Sequence, residues 1–353
     1  MSNRKLVTLR TIKELKPIID ADNIELARID GWQCVVKKGE FEVGDLGLYF
    51  EVDSLLPQDD RWAFLEKYKW RVKTIRLRGV VSQGLLLPLD ILTESEKEGL
   101  VEFAKDTLNG SIIDLAKERI DLSDLFGVEK YEHPDKYNDS NDTRGGFPAF
   151  LHKTDQERIQ NLVDEYETDF KFHPYEITEK LEGTSITIYY NSFIDEFGVC
   201  SRNVQKSRSN HPIWNIVDEM EYEERLREYG KPIALQGELI GEGIQSNVYG
   251  LDGHEFRIFD VWDIQKHEYI IPMKRFVILL DLFGDGKIVE KNHVPILAYN
   301  SIGKTDTVDD LLELAEGKSE IKNDIEREGL VFKSMGNPDI SFKVINNNYL
   351  LGK

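Results

Sequence analysis

Between residues 24 and 89 apolar and polar residues alternate in short runs: IELARI (24–29), WQCVVKK (32–38), DLGLYFEV (45–52), WRVKTIRLR (70–78) and GLLLPL (84–89). A period of two over a few residues marks a strand with one buried face, and the Gly and Asp residues between the runs mark turns. Five such runs predict a small OB-like β-barrel over residues 1–90. In WRVKTIRLR the alternation sends Arg71, Lys73 and Arg76 or Arg78 to solvent. Val72, Ile75 and Leu77 fill the barrel, with a bulge absorbing the break in period.

Residues 91–146 lose this pattern. A helix-like stretch near 95–120 is followed by YEHPDKYNDSNDTRGG (131–146), which predicts a polar, partly helical linker. From 147 to 353 helical and strand-like pieces alternate. TDQERIQNLVDEY (154–166) places Glu157 three residues after Thr154, a capping-box spacing that predicts a helix start. Strands are predicted at 184–190, 197–202, 233–240, 255–262, 329–333 and 340–345. The expected fold class is α+β: an N-terminal barrel, then a larger domain of mostly antiparallel sheets flanked by helices. No internal repeat or low-complexity tract interrupts it.

Composition narrows the function classes. A chain of 353 residues with 40% hydrophobic content can bury a core in each of two domains. No apolar run approaches the roughly 18 residues a membrane helix needs, and no charged-then-apolar leader opens the chain, so a soluble cytoplasmic or otherwise intracellular protein is expected, not a secreted one. Cys34 and Cys200 lie in apolar strand-like runs, without the spacing of a zinc site or a disulfide framework, and are expected in the core. The formal charge of −20 argues against a polyanionic partner on its face. The acid is concentrated, however, in 91–145, 216–228 and 308–328, while WRVKTIRLRG (70–79) and SRNVQKSR (201–208) are locally basic, and a groove can differ in sign from the whole.

The candidate chemistry sits in the strands of the larger domain. Within EITEKLEGTSITIYY (176–190), Lys180 precedes the pair Glu182-Gly183 at the junction of two strand-like segments. A lysine amine attacks phosphorus only when unprotonated, and its reference pKa of about 10.4 means that nearby positive charge, a metal or desolvation must free it. Glu182, two residues on, can share its face and hold a metal. Arg202 closes the strand-like FGVC and suits a ribose or phosphate. GELIG (237–241) puts Glu238 among apolar residues, where a carboxylate must be paired, hydrogen-bonded or metal-bound. FRIFDVW (256–262) offers Phe259 for stacking or for core. REGLVFKS (327–334) and ISFKVI (340–345) add Glu328, Lys333 and Lys343. Carboxylates on separate strands can hold a divalent cation through its waters, and lysines suit the charge of a transferring phosphoryl group. The seven histidines are scattered, no Ser-His-Asp order is present, and GELIGEG matches neither a P-loop nor a dinucleotide fingerprint.

In this order and spacing the motifs resemble those of the covalent nucleotidyltransferases, and most closely the RNA ligases that place an OB domain before the nucleotidyltransferase domain. The resemblance implies an adenylyltransferase domain over 147–353 with ATP as AMP donor and Mg2+ or Mn2+ as metal. It implies that Lys180 is the nucleophile, with Glu179 beside it in the nucleotide-binding set. Arg202 becomes the ribose contact, Glu238 and Glu328 the acids of the third and fourth motifs, Phe259 the base-stacking ring, and Lys333 with Lys343 the late lysines near the α-phosphate. Glu182, Glu238 and Glu328 form the implied metal set. Two departures stand out. Glu182 replaces the usual Asp, one methylene shorter, and Ser341-Phe342-Lys343 carries one lysine where the family commonly has two flanking a residue. Lys343 lies ten residues before the last residue, which is expected to leave no room for the C-terminal OB domain of DNA ligases and capping enzymes.

The resemblance therefore implies a monomeric ATP-dependent RNA ligase that joins RNA 3'-OH and 5'-phosphate ends, at nicks in duplexes, through lysyl-AMP. The alternatives are a ligase for DNA or mixed nicks and a non-catalytic RNA-binding protein with a decayed transferase domain. On the barrel, Arg71, Lys73, Arg76 and Arg78 are the candidate RNA contacts.

Overall fold

The structure is a computed structural model that describes residues 4–131, 143–208, 211–303 and 306–352. The chain divides into two units, Met1–Pro134 with Leu350–Lys353 and Asp135–Tyr349. Residues 132–142, the Asp/Asn-rich part of the expected linker's end, lie outside the described residues.

The first unit contains β1 (Val7–Thr11), β2 (Glu14–Pro17), β3 (Ile24–Ile29), β4 (Trp32–Lys37), β5 (Leu46–Phe50), β6 (Ser54–Leu55), β7 (Ile75–Leu77), β8 (Val80–Ser82), β9 (Leu85–Pro88), α1 (Glu94–Leu108), α2 (Ile112–Lys117) and β10 (Glu129–Lys130). Its strands pair as β1-β5-β9, β2-β3-β4, β7-β8 and β10-β6, the short-stranded layout of an OB fold. Two dipeptides close its tight hairpins. Asp30-Gly31 links the paired residues Ile29 and Trp32, Arg78-Gly79 links Leu77 and Val80, and all four turn residues have positive φ. These are two-residue turns of the type that matches strand twist.

The expected strand 70–78 is much shorter than the hydropathy pattern suggests. A 3-10 helix spans Asp60–Tyr68, and Lys69 and Trp70 are both left-handed at φ 56, so regular pairing resumes only at β7. Val72 is buried as expected, but Leu77 is 38% exposed and does not fill the barrel. Helix α1 opens with a Thr93/Glu96 capping box. Leu100 and Ala104 of α1, with Leu115 and Ala116 of α2, pack in one core with Val7, Leu9, Leu48 and Phe50. Cys34 and Cys200 are buried free thiols.

The second unit runs β11 (Thr143–Gly146), α3 (Val163–Thr168), β12 (Pro174–Lys180), β13 (Thr184–Asn191), β14 (Glu196–Ser201), β15 (Val204–Lys206), α4 (Pro212–Glu219), α5 (Tyr222–Tyr229), β16 (Ile233–Gly241), β17 (His254–Asp263), β18 (Glu268–Tyr269), α6 (Pro272–Phe283), α7 (Gly286–Asn292), β19 (Ile296–Ser301), α8 (Val308–Leu314), β20 (Gly329–Ser334) and β21 (Ser341–Ile345). Two antiparallel sheets result, β11-β15-β14-β13-β16-β17-β18 and β19-β12-β20-β21, and all six predicted strands lie in them. The helix expected from Thr154 starts only at α3. The Thr154 hydroxyl lies 2.7 Å from that of Ser185, and Glu157 accepts from the Arg158 and Asn161 nitrogens, so the capping-box spacing is used for other bonds. Among the described residues no helix is long and apolar enough to cross a membrane.

The four-stranded sheet sorts its residues by alternation. Tyr175, Ile177, Leu330, Phe332, Phe342 and Val344 form a core with residues of α3 and α8, and the Phe332 and Phe342 rings stack with centroids 4.8 Å apart. The opposite face carries polar chemistry. Phe332→Ala is expected to cost about 3–5 kcal/mol through lost burial and the cavity left behind. Phe193→Ala, at a ring 64% exposed, should stay within about 0.5 kcal/mol. Denaturant unfolding of the two variants measures the contrast.

Candidate active site

Strand register assembles the polar face. Lys180 pairs with Gly329, Thr178 with Val331 and then Lys343, and Glu176 with Lys333 and then Ser341. Directly opposed residues share a face, so Lys180, Lys333 and Lys343 all start from the same side of the sheet. Glu328 enters β20 one residue before Gly329, and its Oε2 lies 2.7 Å from Lys180 Nζ. On the seven-stranded sheet, Glu238 stands in a cross-strand row with Ser185 and Arg257.

Lys180, Glu328 and Glu238 act on one another electrostatically. Burial works to lower the Lys180 pKa, but the charges of Glu328 and Glu238 outweigh it and leave it raised. Burial, reinforced by Glu328 and opposed by Lys180 and Arg202, pushes the Glu238 carboxyl up to about 8. Lys343 goes the other way, down to about 8, through burial and the repulsion of Arg158 and Lys180. Lys180 is thus held as an ammonium. Freeing the lone pair of such an ammonium requires positive charge that competes for the carboxylates.

A divalent cation meets that requirement, because two crowded carboxylates are relieved by one. Among the described residues, no group of three or more His, Cys, Asp or Glu converges tightly enough to ligate an ion directly. Glu182 accepts from Ser246 Oγ at 2.8 Å and from the Tyr349 hydroxyl, which holds its longer side chain in place.

The remaining candidates divide. Arg202 is half exposed and paired with Asp155 at 2.6 Å. Glu179 points to the face opposite Lys180, where its buried carboxylate accepts from the Glu320 N–H at 2.8 Å. Phe259 borders the apolar cluster of Leu181, Ile240, Tyr249 and Val294. Lys333, expected near the α-phosphate, has protein partners. Its buried ammonium lies 2.7 Å from Asp260 Oδ2 and donates to the Phe259 carbonyl. On the barrel, Arg71 is bound to Asp53 at 2.6 and 2.9 Å and lies over the Tyr131 ring, whereas Lys73, Arg76 and Arg78 are exposed.

An OB-fold domain family matches residues 6–89, and the RNA ligase family matches residues 173–345. Naegleria gruberi RNA ligase, solved as a variant with AMP and manganese, is 38% identical and superimposes with a TM-score of 0.81 over 99% of both chains. The chain belongs to the RNA ligase family. A second variant of the Naegleria ligase, with ATP and manganese, is 38% identical with a TM-score of 0.80 over 99% of both chains. The same ligase with pyrophosphate is 38% identical at 0.79, covering 99% of this chain and 98% of that one. No curated protein matches.

Sequence reasoning missed several residues of this RNA ligase. Arg158 is bridged to Lys343 through the backbone and repels both Lys343 and Lys180. Asp260, Arg275 and Glu176 form a buried charged cluster with Lys333. The signal for Arg275 was a lone arginine in the apolar helix PMKRFVILLDLF, which cannot be buried without a partner.

Glu328→Gln removes the nearest charge that raises the Lys180 pKa, so Lys180 should titrate at lower pH than in the parent protein. Titration of the lysine side-chain carbons by NMR reads this directly. An unmoved Lys180 would show that the Glu328 pair is not what holds it protonated.

Proposed function

We propose that this ATP-dependent RNA ligase carries AMP on Lys180. The ion pair of Lys180 with Glu328, flanked by Glu238, carries the proposal, because it supplies a strand-held amine with acids that can yield it to a cation. The Lys180 amine attacks the α-phosphorus of ATP, forms a phosphoramidate and loses its proton as pyrophosphate leaves. An RNA 5'-phosphate oxygen then attacks the phosphorus of lysyl-AMP and frees the lysine. Finally an RNA 3'-OH attacks the 5'-phosphorus of the adenylylated end, and AMP leaves.

In this scheme Lys343 faces the transferring phosphate, Arg202 the ribose and Phe259 the adenine. Catalysis is mostly positioning and charge neutralisation. Glu328, Glu238 and Glu182 would hold Mg2+ or Mn2+ through its waters, which supplies charge neutralisation at the α-phosphate. Bound ATP and manganese in the similar Naegleria structures support this assignment. We extend it to nicked RNA duplexes, repaired inside the cell by a monomer, with Lys73, Arg76 and Arg78 contacting the strand backbone.

Lys180→Ala should reduce sealing of a 5'-phosphorylated nick to background while retaining sealing of a pre-adenylylated strand; equal activity on the phosphorylated nick would refute the assignment. Glu238→Ala and Glu328→Ala should each lose metal-dependent sealing with unchanged far-UV circular dichroism. Near-parental rates at every magnesium and manganese concentration would make these acids structural. Joint replacement of Lys73, Arg76 and Arg78 by Ala should weaken RNA binding and flatten its salt dependence by about 0.7–0.9 per lost phosphate contact, with AMP attachment unaffected. An unchanged salt slope would leave the barrel cations without contact to RNA.

A further inference from the structure

Phe259 sits at an irregularity of β17. Ile258 pairs with Gly237 and Asp260 with Gln236, so Phe259 is the extra residue of a β-bulge. Strict alternation would leave Asp260 on the face of Ile258, which lies in the hydrophobic core. The bulge instead turns Asp260 to the face shared by Gln236 and Glu238.

There Asp260 joins a chain of buried charges. Its Oδ2 lies 2.7 Å from Lys333 Nζ and its Oδ1 lies 3.5 Å from Arg275 Nη1, while the other arm of Arg275 is paired with Glu176. The four side chains are between 2% and 8% exposed. They come from β12 and β20 of one sheet, β17 of the other, and α6. Two acids balance two bases. Such a cluster adds little stability over apolar residues of similar volume, because desolvation offsets most of the attraction. What it does supply is a fixed place for Lys333. The ammonium donates to the Phe259 carbonyl and lies 5.1 Å from the centroid of the Phe259 ring, on one of its faces.

We propose that Lys333 is a positioning residue for the Phe259 ring and not a phosphate ligand, and that Asp260, held by Arg275 and Glu176, is what fixes it. This rests on the reading of Phe259 as the ring that stacks on adenine. The ammonium supports the ring from one face and the base takes the other. Loss of Lys333 or Asp260 then weakens ATP binding, whereas loss of a phosphate ligand slows the chemical step.

The test is formation of the protein-AMP adduct by the full chain, with KM for ATP and kcat measured separately. Phe259→Ala, Lys333→Met and Asp260→Asn should each raise KM about tenfold, the effect of weakening one base-aromatic stack, with kcat within about twofold. Arg275→Lys should fall between these variants and the parent. Phe259→Ala combined with Lys333→Met should be no worse than Phe259→Ala alone. A partly unfolded preparation lowers the active concentration and hence the apparent kcat, but leaves KM where it was. If the single charge variants do not fold, Asp260→Asn combined with Lys333→Met removes both charges at once and carries the same expectation. Unchanged KM in Phe259→Ala would remove the stacking reading and the inference with it. Raised KM in Phe259→Ala but not in Lys333→Met or Asp260→Asn would overturn the inference alone, as would a large fall in kcat at constant KM in Lys333→Met.

Discussion

A half-buried lysine amine with a carboxylate 2.7 Å away is the interaction on which the proposed chemistry of the second unit depends. Burial alone would lower the Lys180 pKa, and the charges of Glu328 and Glu238 reverse that direction. With them the amine is held as an ammonium. Two sheets are needed for this arrangement: one supplies the lysine and Glu328 from neighbouring strands, and the other supplies Glu238. The stacked Phe332 and Phe342 rings beneath the first sheet fix its strands, so the spacing of the polar face is set by packing on the other side.

Charge is also used where no chemistry is proposed. Glu176, Arg275, Asp260 and Lys333 form a buried set of two acids and two bases paired with one another, while Lys180, Glu238 and Lys343 have pKa values displaced by burial and by the charges around them. The contrast separates two lysines that begin on the same sheet face. Lys333 is satisfied by Asp260 and the Phe259 carbonyl. Lys343 is pushed down by burial and by the repulsion of Arg158 and Lys180.

Much of this was legible along the chain, for identifiable reasons. Strands with a period of two declare which residues share a face, so Lys180, Glu238 and Glu328 could be located from their apolar neighbours. The same rule places Glu179 opposite Lys180, and that inference was available. Asp260 was not legible, because a bulge reverses its face and leaves no trace in hydropathy. Its partner Arg275 comes from a separate helix. The barrel run WRVKTIRLR was overextended because left-handed Lys69 and Trp70, and the turn at Arg78-Gly79, depend on backbone angles that side-chain polarity does not encode. At Thr154 and Glu157 the local capping pattern lost to longer-range partners, with Thr154 reaching Ser185.

The central claim is that Lys180, of the three lysines on this face, receives the nucleotide. The most direct measurement is peptide mapping by mass spectrometry after the protein is incubated with ATP and magnesium or manganese in the absence of RNA. The account predicts the added mass of AMP on the peptide containing Lys180 and on no other. AMP on a peptide containing Lys333 or Lys343, or no adduct under either metal, would contradict it.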